Sequence, residues 1–254
     1  MTLSKRRLGI LSAQIIFCVV FLLLWQYVSV NKIIDPIFIG RPSKILHYLY
    51  DSIFVSGTLF SDAGWTLSAT AISFLLGSVA GIVFGLIFSV WPLAEEFCDP
   101  FFTAFNALPR IALAPLFILW FGLGTGSKVA LGFSLTFFIV LSNTVAGARS
   151  ADPDWLILVR MLGATRAQTF FKVTLISAVP TIFSGLRLGL IYSLLGVVGS
   201  EIIASQNGLG QKLSYLAGTF NTDGVFGVLF FLSILGVALT WAMGLLEKYL
   251  LRWR

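Results

Sequence analysis

Residues Leu8–Asn31 read LGILSAQIIFCVVFLLLWQYVSVN, a stretch without Asp, Glu, Lys or Arg. Crossing about 30 Å of hydrocarbon takes roughly 20 apolar helical residues, so this stretch predicts a transmembrane helix. Lys5, Arg6 and Arg7 precede it, as in a secretory signal. Its apolar core, however, exceeds the roughly 7–15 residues of a signal h-region, and no small-residue cleavage site follows. The helix is expected to be retained. Further along, no charge lies between Asp62 and Glu95, which gives a second span. A third is expected from about Pro100 to Phe121, interrupted by Arg110, and a fourth over Val129–Ala148. Arg187 to about Ala204 supplies a fifth, with Glu201 near its far end, and Gly224–Leu246 a sixth.

Composition agrees with an all-α integral membrane protein. The chain is 57% hydrophobic and 11% charged, where a soluble domain carries about 25% charged residues. That hydrophobicity also excludes a disordered chain. No polar linker divides the sequence, so residues 1–254 are expected to form one transmembrane domain. Its first helix covers about 8–31, its core helices about 63–250, and its longest loop about 149–186.

Six spans place both termini on one side, and the positive-inside rule chooses which. With cytoplasmic termini, the inner segments hold Lys5, Arg6, Arg7, Arg149, Arg160, Arg166, Lys172, Arg187, Lys248, Arg252 and Arg254. The outer loops then hold only Lys32, Arg41, Lys44, Lys128 and Lys212. Aromatic residues fit this layout, with Trp25, Tyr27, Trp65 and Trp120 at outer ends and Trp91, Tyr249 and Trp253 at inner ends. The net charge of +6 follows from this asymmetry, and no nucleic-acid partner is implied.

The longest loop carries its own structure signals. Asp152-Pro153-Asp154 is a helix start, with an acidic N-cap, Pro at the first position and a second acid facing the dipole. Trp155, Leu156, Leu158, Val159 and Leu162 follow, and Gly163 is a natural stop. Thr165-Arg166-Ala167-Gln168 then has capping-box spacing. A second short helix is expected before Pro180, hinged to the first at Gly163. These residues fit equally an interfacial loop lying on lipid and a docking knob for a soluble partner.

The stretch from Leu162-Gly163-Ala164-Thr165 to Gly185-Leu186-Arg187 resembles the cytoplasmic loop of binding-protein-dependent ABC importer permeases. The nitrate/sulfonate/taurine-type subgroup is the nearest resemblance. Leu108-Pro109, Pro115 to Gly124, Ser127-Lys128, Ala146 to Ser150, and Glu201-Ile202-Ile203-Ala204 with Gly208-Leu209-Gly210 match it in the same order. The resemblance runs from about the second helix onward. It departs at one place: the family's Glu-Ala-Ala is Ile157, Leu158 and Val159 here, and its Leu-Pro pair is Leu175-Ile176.

What the resemblance implies is a type I importer-like fold in a bacterial inner membrane, with a cytoplasmic coupling helix pair. Leu158, Val159, Leu162, Gly163, Ala164, Thr165 and Arg166 would contact a dimer of ATP-binding subunits. A second permease copy, as a homodimer, and an extracytoplasmic binding protein complete the assembly. ATP and Mg would reside on the partner, so no cofactor and no enzymatic activity are expected of this chain. The missing acid makes the docking surface more apolar than usual. The subgroup implies a small organic anion such as a sulfonate, taurine or nitrate as substrate, and relatives carry pyrimidine-type vitamin precursors. A self-sufficient secondary transporter is the competing class, but no internal repeat supports it.

Individual residues sharpen these expectations. Arg110, beside Pro109 in a predicted span, either lines the pathway or snorkels from a helix end. Pro109 and Pro115 remove two amide donors and favour a kink. Glu201 either acts in the pathway, with Lys212 as a candidate partner, or sits at a solvated helix end; Tyr192 is a further pathway candidate. Gly77, Gly81 and Gly85 form a small-residue stripe, expected to pack within the chain rather than at a dimer seam. His47 is the lone histidine, expected in an outer loop, and Cys18 and Cys98 are far apart. No metal or catalytic site is expected. Gly122 to Lys128 is glycine-rich but lacks the Gly-Lys-Ser/Thr order of a phosphate loop, and is expected in an outer turn.

Overall fold

The computed structural model describes residues 2–252, and of residues 2–6 and 8 the backbone alone. Trp253 and Arg254, expected at an inner helix end, lie outside the described residues. Every described element is helical. In order these are α1 (Thr2–Val30), α2 (Pro36–Ile39), α3 (Pro42–Tyr50), α4 (Thr58–Val90), α5 (Pro92–Ala107), α6 (Ala114–Phe121) and α7 (Thr125–Arg149). There follow α8 (Pro153–Met161), α9 (Arg166–Thr169), α10 (Leu175–Ile203), α11 (Leu209–Gly218) and α12 (Thr222–Leu250). A 3-10 turn at Arg110–Leu113 precedes α6, and π turns at Asp51–Val55 and Phe170–Thr174 follow α3 and α9.

Five of the described helical runs are long and apolar enough to span a membrane: Gly9–Val30, Thr58–Val90, Thr125–Arg149, Arg166–Ile203 and Thr222–Leu250. The expected third span is a broken one. Pro92–Ala107 and Arg110–Phe121 meet at 85°, because Pro109 forces Leu108 into an extended conformation (ψ 134°) and withholds an amide from the ladder. This helix also starts earlier than expected: Pro92 opens it, so Glu95 lies in α5 and not at the end of the second span.

The fifth span is longer than its charge pattern suggested. It does not begin at Arg187, and no separate short helix ends before Pro180. Instead α9, the π turn and α10 run on from Arg166 to Ile203 with Pro180 inside α10. Arg187 can stand within that run because it pairs with Glu247 of α12. Lys128 likewise belongs to α7 rather than to a turn, and His47 lies in α3, 3.3 Å from Asp51.

The chain forms two compact units. One runs through Ser61 and includes Lys212–Leu232; the other comprises Asp62–Gln211 and continues from Ser233. In the first, Trp25 donates to the Ile39 carbonyl at 3.1 Å and the buried Ser29 hydroxyl to that of Gly40 at 2.7 Å. The Arg41 amide donates to Asp223 Oδ1 at 2.6 Å. These bonds fold the α2–α3 segment back against α1 and the start of α12.

The second unit is organised around α7, which packs against α4 and α10. Between helices in lipid, close van der Waals approach replaces hydrophobic drive, so small residues line the seams. A Cβ on Gly77 would lie 2.8 Å from Thr136, and one on Gly81 the same distance from the Phe137 carbonyl. One on Gly85 would lie 2.6 Å from Thr144. The glycine stripe is thus a packing seam within the chain. From α10, Gly185, Gly189 and Gly196 admit Asn143, Val140 and Leu135, so Val140 of α7 is met by glycines of both neighbouring helices. Buried hydroxyls bridge the helices as well: Ser73 and Ser193 lie 2.6 Å apart, and Thr136 donates to the Gly189 carbonyl.

Candidate functional site

The loop between α7 and α10 adopts the caps its residues dictate. Asp152 accepts from the Asp154 amide at 2.9 Å, with Pro153 at the first helical position. At the other end of α8, Gly163 takes φ +80°, and the Ala164 amide bonds the Val159 carbonyl at 3.0 Å. Thr165 and Gln168 then close the capping box: the Thr165 amide donates to Gln168 Oε1 at 2.8 Å, and the Gln168 amide to Thr165 Oγ1 at 3.3 Å. The sharp reversal at Gly163 leaves apolar side chains in the open. Met161 is 82% and Leu162 78% exposed, and Trp155, Ile157, Leu158 and Phe171 are exposed too. Thr165 and Arg166 lie exposed beside them, while Val159 and Ala164 are half-buried.

At the other end of the same helices sits a buried polar knot. Lys128 Nζ donates to Glu201 Oε1 at 3.0 Å and to the Asn207 carbonyl at 2.6 Å. Thr66 donates to Glu201 Oε2 at 2.9 Å, and the Gly210 amide does the same at 2.9 Å. The Leu209 amide in turn donates to Thr66 Oγ1 at 2.9 Å. Gly208 takes φ +112°, and any side chain there would collide with the Glu201 carboxylate. Glu201 is therefore neither at a solvated helix end nor paired with Lys212, which instead donates to Thr58 at 2.6 Å. Thr66 carries no role in the sequence analysis, and Lys128 enters it only in the Ser127-Lys128 match, at the end of the glycine-rich run from Gly122, and as an outer-loop cation. Their signal was a lysine one turn into an apolar helix, and a hydroxyl one turn after Asp62.

Arg110, Pro109 and Pro115 gather at the α5–α6 bend. The Arg110 guanidinium bonds Asn106 Oδ1 and, at 3.2 Å, the Ser134 carbonyl, and lies 4.3 Å above the Phe138 ring. Below it, between α5 and α7, lies a recess of about 280 Å³. Phe88, Phe102 and Phe138 wall it, and Asp99, Ser142 and the Glu95–Arg149 ion pair line it. Tyr192 is exposed on α10, away from the enclosed Glu201 carboxylate on the same helix.

Residues 74–252 match the family described as the binding-protein-dependent transport system inner membrane component. The chain belongs to this family. It is an ABC transporter permease and a multi-pass inner-membrane protein. The formylaminopyrimidine transport permease protein ThiX of Halalkalibacterium halodurans is 31% identical over 94% of both chains. The putative aliphatic sulfonates transport permease protein SsuC of Bacillus subtilis is 29% identical over 99% of this chain and 90% of its own. The taurine transport system permease protein TauC of Escherichia coli is 28% identical over 92% and 86%. These permeases bear out the resemblance read from the loop and its collinear stretches. Among solved structures, an inward-facing MetNI methionine ABC transporter matches with a TM-score of 0.66. It is 20% identical and covers 76% of this chain and 95% of its own, which establishes a shared permease fold.

Proposed function

We propose that this permease imports a small solute that a separate binding protein delivers, powered by ATP hydrolysis on a partner subunit. One observation carries the coupling half of this reading: a rigidly capped α8–α9 corner presenting exposed Leu158, Met161 and Leu162. An apolar patch held at a fixed angle by Gly163 and the capping box suits insertion into a cleft on a soluble partner. The partner is a dimer of ATP-binding subunits carrying ATP and Mg, and a second copy of this chain completes the pathway. Both termini and the α8–α9 corner face the cytoplasm, as the charge asymmetry favours. Co-purification with the ATP-binding subunit tests it. Gly163→Val, strained at φ +80° with open space around it, is expected to abolish docking with membrane insertion intact. Substrate movement by the chain alone, driven by an ion gradient, would overturn the reading in favour of a secondary transporter.

The substrate we assign is a small organic or inorganic anion such as a sulfonate, taurine or nitrate, supported by the sulfonate and taurine permeases among the relatives. Arg110, Pro109, Pro115 and Tyr192 would line its pathway, and the Glu201 knot would brace the end of α10. A second reading, a pyrimidine-type vitamin precursor, is favoured by the recess under Arg110. Three phenylalanines and the carboxylate of Asp99 suit a flat ring bearing amino donors, whereas Arg149 is already paired with Glu95. Competition between taurine and an aminopyrimidine for ATP-driven uptake separates the two.

A further inference from the structure

We propose that the groove between α1 and the start of α12, together with the basic recess at its end, binds an anionic phospholipid. The groove has a volume of about 650 Å³ and is lined only by apolar side chains, among them Phe21, Leu24, Val28 and Phe230. Its wall is fixed: Trp25 bonds the Ile39 carbonyl and meets the Phe226 ring edge-on at 5.4 Å. From Phe21 to Val28 the groove follows α1 for about 10 Å at a helical rise of ~1.5 Å per residue. Inside hydrocarbon such a groove holds an acyl chain rather than water, since it offers water no partners.

One helical turn further along both walls, the chemistry changes. Lys32 follows Val28 by four positions, and Asp223 precedes Phe226 by three. Here lies a recess of about 340 Å³ lined by Lys32, Arg41, Lys44, Asp35, Asn221 and Asp223. Its two carboxylates are already engaged by backbone, Asp223 by the Arg41 amide and Asp35 by that of Ile37. Among the described residues, none of the three cations forms an ion pair, and Arg41 Nε is buried without a hydrogen-bond partner. Three cations against two carboxylates leave the recess a formal net charge of +1 toward whatever enters.

Two helix ends converge on the same place. Only two described non-glycine residues have positive φ, Lys32 at 55° and Phe220 at 56°, and both line this recess. Each closes a helix in a left-handed cap: the Ile33 amide reaches back to the Val28 carbonyl at 3.1 Å and the Asn221 amide to that of Leu216 at 2.9 Å, so the ends of α1 and α11 both deliver their cap residues to this recess. Ile33, Phe38 and Phe220 stand exposed around the rim, as side chains do at the headgroup boundary. A phosphate in the recess and an acyl chain in the groove, joined across one helical turn by the glycerol unit, use both features at once.

Native mass spectrometry of the detergent-purified full-length permease, titrated with palmitoyl-oleoyl phosphatidylglycerol or phosphatidylcholine, tests the site. The double variant Lys32→Gly, Lys44→Gln removes two charges while glycine accepts the positive φ, so folding is preserved. Phosphatidylglycerol binding is expected to fall roughly thirtyfold, at about 1 kcal/mol per basic residue near a headgroup, with phosphatidylcholine binding unchanged. Leu24→Trp, which fills the groove, is expected to abolish both. Undiminished phosphatidylglycerol binding by the stably folded double variant would overturn the proposal. So would displacement of the lipid by millimolar inorganic phosphate, which would mark a plain anion site. A protein helix occupying the groove in the assembled transporter would overturn it equally.

Discussion

Lys128 and Glu201, 73 residues apart in sequence, form an ion pair with Nζ 3.0 Å from Oε1, and neither side chain is more than 5% exposed. Burying two charges costs several kcal/mol each unless every remaining donor and acceptor is matched. Here most of them are. The lysine also meets the Asn207 carbonyl, and the carboxylate takes Thr66 and the Gly210 amide. The pair thereby ties the first turn of α7 to the end of α10 and to the turn into α11, with Thr66 bringing in α4.

Removing one partner leaves an uncompensated charge in the knot. Lys128→Met is expected to destabilise the permease by about 3–5 kcal/mol, the usual scale for breaking a buried pair from one side. Glu201→Gln keeps an acceptor for Gly210 and Thr66 but turns an amide donor toward the buried Lys128 ammonium, so a loss on the same scale is expected. The double variant should regain part of the loss. Thermal unfolding of all four proteins in detergent checks this as a cycle, and strictly additive effects would show that the two charges are not coupled.

Why this knot was hard to read is plain from its residues. Charge-free runs located the spans because the cost of charge in hydrocarbon leaves a local mark, and Gly163 and Thr165 marked the loop through caps that act within four residues. Lys128 is different. Its partner is distant in sequence, so by local hydropathy it resembles an outer-loop lysine, and for the same reason the nearer Lys212 is the partner that local sequence offers Glu201. The bend after α5 was foreseeable from Pro109 as a kink, but its 85° angle depends on what packs against both arms. Arg187 misplaced the start of α10 because its partner, Glu247, lies on another helix.

The glycine seam between α4 and α7 gives a graded test of packing. Gly81→Leu drives a side chain into the Phe137 carbonyl and Val140, and overpacking of this kind typically costs about 1–3 kcal/mol. Gly64→Ala, on the same helix but with open space at its Cβ, is expected to be neutral or slightly stabilising. The yield of monodisperse protein by size-exclusion chromatography separates them. Equal yields would mean that the seam tolerates a wider helix separation.

The capping box at Thr165 has a purely local energy and a remote consequence. Thr165→Ala removes the acceptor for the Gln168 amide and costs about 1 kcal/mol of helix start. Hydrogen exchange over Ala167–Thr169 should accelerate, while the amides of α8 keep their protection. If the α8–α9 corner docks the ATP-binding subunit, its affinity should fall alongside. Faster exchange with undiminished docking would assign the contact to α8 alone.

Arg110 separates a pathway role from a bracing role through kinetics. Its guanidinium holds three things together across the bend: Asn106, the Ser134 carbonyl and the Phe138 face. A lysine ammonium is a point donor without the planar fork, so Arg110→Lys keeps charge and loses geometry. Arg110→Met loses both, and membrane insertion is not impaired because the arginine itself costs about 2.5–3.5 kcal/mol at mid-span on insertion scales. If Arg110 lines the route of an anionic substrate, the methionine variant should raise the KM of ATP-driven uptake roughly tenfold, the scale of one charge-assisted hydrogen bond, and the lysine variant should restore much of it. If instead it braces the bend, both variants should lower the maximal rate alike and leave KM in place. Uptake by both variants at wild-type rate and affinity would remove Arg110 from either role.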